Sequence, residues 1–339
     1  MTKAKNINVK TNPSAASATG QELVSMFVMA YNQVNFIAAT VRSAFAQTYD
    51  NLEIILSDDC SSDGTYEIME RLAAEYQGPH QVRLNRNHEN LGFVGHLNSI
   101  FDLCEGVLIV YAPGDDISHA ERAAELYQAF REDRPLLVHS DVNNMDEKGN
   151  LTGVATSRQS VLAGMDLKDA ANSLVLGVGA SCAWNPEIQD RFGPVEGKET
   201  FDDLIFFFRA MLLDRMAHVP KALVDYRLGA GLSRPKATSF QGRVAQERKN
   251  CQRAVDTYRQ RLKDCRNARP ECSDVLQVLR ERLAVKEYML GLFESSFLTA
   301  YQAAFSMRKL KALLSLLNRI RRATPSRQKK RLRQANKIV

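Results

Sequence analysis

The chain is short of the signatures by which the commoner α/β enzymes are recognised. The turn after its first apolar strand, Ala30-Tyr31-Asn32-Gln33, contains no glycine, so the G-x-G-x-x-G dinucleotide fingerprint is missing where it would have to stand. No G-x-x-x-x-G-K-[ST] occurs anywhere, which argues against a P-loop NTPase, and there is neither a G-x-S-x-G elbow nor an H-E-x-x-H helix. Cysteine is sparse: six in 339 residues, none in C-x-x-C spacing, and Cys251, Cys265 and Cys272 lack neighbouring histidines. That argues against a zinc site and for reduced thiols in the cytoplasm. Residues 1–20 hold no apolar core and read as a disordered tail rather than a signal peptide or membrane span. With 45% apolar residues the remainder can bury a full core, and the length allows two domains or one with an appendage.

What the chain does have is carboxylate at the ends of apolar strands. Leu23–Met29 and Leu52–Leu56 read as buried strands, with Val34, Ile37, Val41 and Phe45 near helical spacing between them, and the second runs into Ser57-Asp58-Asp59-Cys60-Ser61-Ser62-Asp63-Gly64-Thr65. A helix from about Thr65, a strand Val82–Leu84 and a helix from Phe93 to Leu103 follow. The apolar run Val107–Val110 then ends in a second acidic turn, Pro113-Gly114-Asp115-Asp116. Beyond it Ser118 and Glu121 have the spacing of a capping box, ahead of a helix with Ala123, Tyr127 and Phe130 on its buried stripe. Alternating strand and helix predicts an α/β fold, a mostly parallel sheet covered on both faces. In such sheets ligands bind at the carboxyl ends of the strands. Carboxylates there would repel a bare phosphate, so the turns imply a divalent cation, or a donor-rich base and sugar, between them and any phosphate.

Three consecutive blocks, Val28-Met29-Ala30-Tyr31-Asn32, Ser43 to Ile55 and Asp58 to Thr65, resemble the opening of the family 2 glycosyltransferases of bacterial polysaccharide and lipopolysaccharide synthesis. The likeness continues through Asn90-Leu91-Gly92-Phe93 with Asn98, Gly114-Asp115-Asp116-Ile117, His139-Ser140-Asp141, Phe201-Asp202-Asp203-Leu204 with Arg209, and Tyr226-Arg227. It implies a GT-A fold, a Rossmann-like nucleotide-diphospho-sugar transferase domain, over residues 21–240; beyond it the residue pattern itself is helical from about Phe240 to Leu317, with Pro270 and Ser273 marking a break, so 241–339 reads as a helical, basic appendage. It also implies inverting transfer from a UDP- or dTDP-sugar to a lipid-linked or glycan acceptor. Tyr31, Asp58, Asp59, Asn90, Asn98, Asp115 and Asp116 would hold the nucleotide sugar, and Asp115 would hold Mn²⁺ or Mg²⁺. Of the acidic pair, Asp203 matches the general base and Asp202 stands where a glutamate is usual. Ser181 and Trp184, within Gly179–Trp184, would line the acceptor side. Pro113 departs from the family's D-x-D, whose first aspartate commonly stands there.

Plainer roles stand beside these. Asp63 suits an Asx turn before its helix, Asp202 and Asp203 suit the first turn of a helix by its dipole, and Tyr31 and Trp184 suit a core. The histidines, His88, His96 and His139 among them, are scattered and read as packing or hydrogen-bonding groups. After Glu294 there is no acidic residue, while basic residues run from Arg308 to Lys337 and Leu310, Leu313, Leu314, Leu317 and Ile320 recur at helical spacing. A basic amphipathic helix of this kind seats on anionic membrane surfaces, here the inner face. Nucleic acid is the weaker partner, because no aromatic residue is interleaved among those charges. Two function classes remain: a membrane-surface glycosyltransferase, or a non-catalytic GT-A-like scaffold that binds nucleotide or glycan, which Pro113 keeps open. A nucleotidyltransferase is a distant third, lacking its glycine-rich, basic phosphate loop.

Overall fold

The computed structural model describes residues 20–154, 162, 164–229, 239–293 and 314–315. Val24–Ala30 (β1), Leu52–Asp58 (β2), Gln81–Arg86 (β3) and Leu108–Pro113 (β4) form a parallel set in which β1 lies between β2 and β4. The chain walks outward from β1 through β2 to β3, then crosses back to the other side of β1, so the strand order reverses between β1 and β4. That reversal opens a crevice at the carboxyl ends of the two strands.

Both faces of this half are covered, which is why β1 and β2 are buried at every residue. Val24, Met26 and Val28 point to one face, where Ile37–Phe45 (α1), Thr65–Glu75 (α2) and Arg122–Phe130 (α4) pack. Phe27 and Met29 point to the other, against Gly92–Leu103 (α3) and a larger group of helices that follows later in the chain. The alternation is the two-residue period of a strand acting on both layers.

Beyond β4 the sheet turns mixed, where alternation alone predicts mostly parallel pairing. Ile117–Ser118 (β5), Leu137–Met145 (β6), Leu151–Val154 (β7), Cys182–Trp184 (β8) and Met216–Arg227 (β9) complete nine strands in the order β3-β2-β1-β4-β8-β6-β9-β5, with β7 on β6. The three-residue β8 is antiparallel to both β4 and β6 and joins the two halves. Such a strand is too short to show a period. In β9 the register against β6 shifts around Ser140 and Asp141, close to Pro220, which cannot donate to a ladder.

The capping box does not form. α4 starts at Arg122 behind Glu121, with no side-chain cap. Ser118 is instead drawn into β5, its N–H donating to Ser43 Oγ and its hydroxyl accepting from the buried Arg122. Tertiary partners outbid the local cap.

The second layer holds Leu167–Asn172 (α5), Glu187–Phe192 (α6), Asp202–Leu212 (α7), Phe240–Ala268 (α8) and Ser273–Gly291 (α9). Pro270 and Ser273 mark the break between the last two, as the sequence indicates. α7 buries Phe206, Phe207 and Phe208 together, and Ala254, Tyr258 and Leu262 of α8 belong to the same core. Burial of side chains of this size stabilises by roughly 1.5–3 kcal/mol each. The helices after residue 240 therefore share the core of the preceding 220 residues rather than sitting apart from it. Among the described residues no helix is long and apolar enough to cross a membrane. The tail over 1–20 lies outside the described residues apart from Gly20, and the basic amphipathic segment apart from Leu314 and Ser315.

Candidate functional site

The first acidic turn divides its labour. Asp63 makes the Asx turn, accepting from the Thr65 N–H and hydroxyl with one oxygen and from the Val34 N–H with the other, while Gly64, at φ 93°, caps α2. Asp58 is fully buried beneath the turn, where its Oδ2 accepts from the Ser61 N–H at 2.8 Å and burial raises its pKa. It does not reach the crevice. Asp59 does, and its Oδ1 accepts from Asn87 Nδ2 at 2.8 Å and from the Leu91 N–H at 2.9 Å, tying the β2 end to the loop that carries Asn90. Asn90 also faces the crevice, with its Oδ1 accepting from the Gly92 N–H, and Tyr31 lines it from the β1 end.

The second turn is held from three sides. The Gly114 N–H donates to Met29 O at 2.9 Å, Thr40 Oγ1 donates to Asp116 O at 2.8 Å, and Arg227, at the end of β9, grips the rest. The Arg227 N–H donates to Asp116 Oδ1 at 2.7 Å, and its guanidinium donates to the carbonyls of Asp115, Asp146 and Glu147. A Cβ at Gly114 would stand 2.2 Å from Gln33 Oε1 and 3.1 Å from Met29 O, so a larger residue there would displace the Gln33 side chain and crowd β1. Burial raises the pKa of Asp115, and raises that of Asp116 further because Asp115 adds its charge. Asp116 Oδ2 meets no partner among the described residues.

Asp202 and Asp203 open α7, where the helix dipole favours carboxylates. Asp202 is 6% exposed, and burial, followed by the charge of Asp203, pushes its pKa to about 8. Asp203 is half-buried and faces the crevice. Gly179, in the short 3₁₀ turn before β8, makes room for Asp202: a Cβ there would lie 2.1 Å from Asp202 Oδ2. Gly179→Ala should therefore cost about 1–3 kcal/mol of stability by overpacking. In an Asp202→Ala background the same change should cost far less, and urea melts of the four proteins in that cycle measure the coupling.

These elements enclose a cleft of about 910 Å³ at the β1/β4 crevice. Of the residues singled out in the sequence, it brings together Tyr31, Asp59, Asn90, Asp115, Asp116, Asp202 and Asp203. Four stand elsewhere. Asn98 locks α3 to the loop before α7 through a reciprocal pair with Val195, Nδ2 to O and N–H to Oδ1, both at 2.9 Å. Ser181 is buried and donates to Val178 O, and Asp58 lies under its own turn. Trp184 is 0% exposed, stacked 5.1 Å from Tyr111 and 4.7 Å from Phe206, so it belongs to the core and not to an acceptor wall. Its neighbours Gly179 and Ala180 line the cleft in its stead.

Residues the sequence did not single out complete the wall. His96 lines it while fully buried, its Nε2 2.6 Å from Ser57 Oγ, and burial lowers its pKa to about 4, which keeps the ring neutral. Lys198, Lys249, Asn250 and Arg253 also line it. No motif marks them, and the last three sit on α8, beyond the segment in which the family resemblance could be read.

The sequence matches the model of glycosyl transferase family 2 over residues 25–185, which spans β1 to β8 and both acidic turns. Residues 25–185 are a family 2 glycosyltransferase domain. Among curated relatives of this domain, a UDP-Glc:alpha-D-GlcNAc-diphosphoundecaprenol beta-1,3-glucosyltransferase of Escherichia coli, WfaP, is 29% identical over 147 residues, 43% of this chain and 56% of that protein. Chondroitin synthase of Escherichia coli is 32% identical over 130 residues, 38% of this chain and 18% of that protein. The chain thus spans about half the length of the first and a small part of the second. Solved structures carry the likeness past the domain. Staphylococcus aureus TarS 1–349 in complex with UDP-GlcNAc covers 90% of this chain and 82% of its own at a TM-score of 0.57 and 17% identity. The mannosyltransferase PcManGT of Pyrobaculum calidifontis, in complex with GDP-Man and Mn²⁺, covers 90% and 86% at 0.56 and 17%. The fold is GT-A, with helices following the transferase domain.

Proposed function

We propose that the chain is an inverting glycosyltransferase that moves a sugar from a UDP- or dTDP-sugar to a lipid-linked or polysaccharide acceptor in cell-surface glycan synthesis. One observation carries the reading: Asp59 and Asp115–Asp116, from two distant segments of the family 2 domain, and Asp202–Asp203, from beyond it, converge on one cleft at the strand-order reversal. In this reading Asp59 and Tyr31 receive the base, as acceptor for its ring N–H and as stacking face, Asp115 and Asp116 stand toward the sugar and diphosphate, and Asp203 takes the proton of the incoming hydroxyl. Asp202, whose pKa burial and then the charge of Asp203 raise to about 8, stays protonated at neutral pH.

The second turn fits a divalent cation. Burial gives both carboxylates a raised proton affinity, Asp116 Oδ2 is left without a partner among the described residues, and hard oxygen ligands are what Mg²⁺ or Mn²⁺ takes. Asp115 would hold the ion with Asp116 beside it, and when bound it would neutralise charge developing on the diphosphate leaving group. UDP or dTDP with Mn²⁺ should raise the melting temperature, worth about 2.7 kcal/mol at a hundredfold excess over Kd. Asp115→Ala should remove the metal-dependent part of that shift. No stabilisation by any nucleoside diphosphate, with or without metal, would sink the donor site.

Pro113 favours the second reading, a scaffold that binds nucleotide or glycan without turnover. Release of nucleoside diphosphate from a panel of nucleotide sugars in the presence of acceptor separates the two. A cytoplasmic protein seated on the inner face of the membrane is the setting that the basic run from Arg308 to Lys337 supports.

A further inference from the structure

Beneath the first acidic turn a chain of polar side chains runs through the interior. Ser57 of β2, Asn85 of β3 and His96 of α3 each send one polar group into it, and they are 0%, 3% and 0% exposed. Asn85 Nδ2 donates to Ser57 Oγ at 2.9 Å and to Asn87 Oδ1 at 3.2 Å, and Asn87 Nδ2 donates to Asp59 Oδ1 at 2.8 Å. With His96 Nε2 2.6 Å from Ser57 Oγ, the chain is unbroken from a buried imidazole to the carboxylate that lines the cleft. Polar groups are kept in an interior only when their partners are in place, so each link constrains the next.

The direction of every bond follows from the carboxylate end. A carboxylate oxygen only accepts, so Asn87 turns its amide nitrogen to Asp59 and its oxygen to Asn85. Asn85 then gives one amide hydrogen to Asn87 and the other to Ser57, whose oxygen accepts. The Ser57 hydroxyl has one hydrogen left and His96 Nε2 as its partner, so Nε2 accepts and the neutral ring carries its proton on Nδ1. The opposite tautomer would strand the Ser57 hydrogen in addition to Nδ1, which has no partner among the described residues in either case. Burial lowers the His96 pKa to about 4, which keeps Nε2 an acceptor at neutral pH. At the other end Asp59 Oδ1 also accepts from the Leu91 N–H at 2.9 Å, so both its lone pairs are used. Oδ2 accepts from nothing among the described residues and is the oxygen left for a ligand.

We propose that His96 is a positioning residue for donor recognition: as terminal acceptor of the chain through Ser57, Asn85 and Asn87, it fixes Asp59 with Oδ2 presented to the ring N–H of a pyrimidine base. This rests on the glycosyl-transfer reading, in which Asp59 receives the base, and adds the residues that aim it. His96, Ser57 and Asn85 touch no reacting atom. Without an acceptor at the place of Nε2 the Ser57 hydrogen has no partner, and Asn85 turns its oxygen to meet it. Asn87 must then answer Asn85 with its nitrogen, which brings an amide oxygen against Asp59 Oδ1. Two acceptors repel, and the carboxylate loses its fixed orientation.

Calorimetric titration of the full chain with UDP and with UDP methylated at the ring N–H of its base, each with Mn²⁺, reads the aim of Asp59, because the methyl group removes the hydrogen that Oδ2 would accept. Wild type should prefer UDP by at least about tenfold, the loss expected when a hydrogen bond to a charged group is removed. In His96→Leu and in Asn87→Ala that preference should shrink toward unity, through weaker UDP binding and an unchanged affinity for the methylated analogue. His96→Gln, whose amide oxygen accepts from Ser57, should restore most of it. Asn87 is half-buried in the loop after β3, so its variant serves if the His96 variants fail to fold. Nitrogen NMR of the wild-type imidazole should find the His96 proton on Nδ1, and a proton on Nε2 overturns the proposal. So does an undiminished preference in the variants, and so does an equal fall for both nucleotides, which would leave the chain a structural role only. No preference in a wild type that binds UDP overturns it as well, while the nucleotide site itself stands. Failure of UDP to bind wild type at all ends the glycosyl-transfer reading, and the positioning role with it.

Discussion

Asp203→Asn should lower kcat by at least about a hundredfold while leaving nucleotide affinity nearly unchanged, since general-base assistance is typically worth 10²–10⁴-fold, or about 3–5 kcal/mol of barrier. The amide keeps the shape of the side chain and loses only its capacity to take a proton. Nucleotide affinity should be spared because, in the proposed assignment, the base would touch the incoming hydroxyl and not the donor. Asp202→Asn should cost less: a carboxyl with a pKa near 8 is already neutral at pH 7, so an amide replaces it with little electrostatic change. The same shift carries a stability signature. The folded pKa lies above the unfolded value near 4, so the stability that the neutral carboxyl contributes is complete below pH 4 and is lost as pH rises toward 8. Asp202→Asn has no such loss, and its melting temperature should gain on wild type across that window. Full activity in Asp203→Asn with inactive Asp202→Asn would shift the base by one position. Activity in both would remove the acidic pair from the chemistry.

How much of this site the sequence discloses depends on how local each determinant is. The parallel half of the sheet is legible because β1, β2 and β4 are dominated by apolar residues, as strands buried on both faces are, with the buried Ser25 and Glu53 hydrogen-bonded to each other across β1 and β2. Asp59, Asp115 and Asp203 are legible because each sits on a short motif at the end of an element. What cannot be read are decisions made between distant segments. Asp58 and Asp59 are chemically alike, and successive side chains at the β2 end point opposite ways, so which of them goes beneath the turn and which into the cleft is set by what packs on each side. Trp184 lies in a three-residue strand whose neighbours, Tyr111 and Phe206, come from 73 residues before and 22 after, so its burial has no local pattern. Ser118 has the spacing of a cap and loses that role because it is drawn into β5, where Ser43 of α1 accepts from its N–H and Arg122, at the start of α4 itself, donates to its hydroxyl. Lys249 and Arg253 are the extreme case: they stand on a helix with no motif, and they reach the cleft only because that helix docks against α7.

Arg209→Met should destabilise the protein by about 3–5 kcal/mol, the cost of stranding one member of a buried ion pair. Arg209, on α7, is 0% exposed, and Asp264, on α8, is 1% exposed. Nε donates to Asp264 Oδ2 at 2.8 Å, Nη1 donates to Gly193 O at 3.0 Å, and Gln260 donates to Asp264 Oδ1 at 2.8 Å, so the pair is satisfied as a network. Burial raises the Asp264 pKa and Arg209 holds it down. Without the guanidinium it rises further, and a raised carboxyl loses its stabilising proton as pH climbs from about 4, so the deficit of the variant should be smallest in acid and largest at neutral pH. Arg209→Met/Asp264→Leu should recover much of the loss, because an apolar pair of similar volume carries no desolvation cost. The effect should extend to catalysis, since this pair fastens the helix that opens with Asp203 to the helix that carries Arg253. The double variant should therefore regain stability and turnover together. Urea melts at several pH values, with kcat measured on the same preparations, give both quantities. Arg209→Met with an unchanged melt would mean that the packing of Phe206, Phe207 and Phe208 alone holds α7 in place.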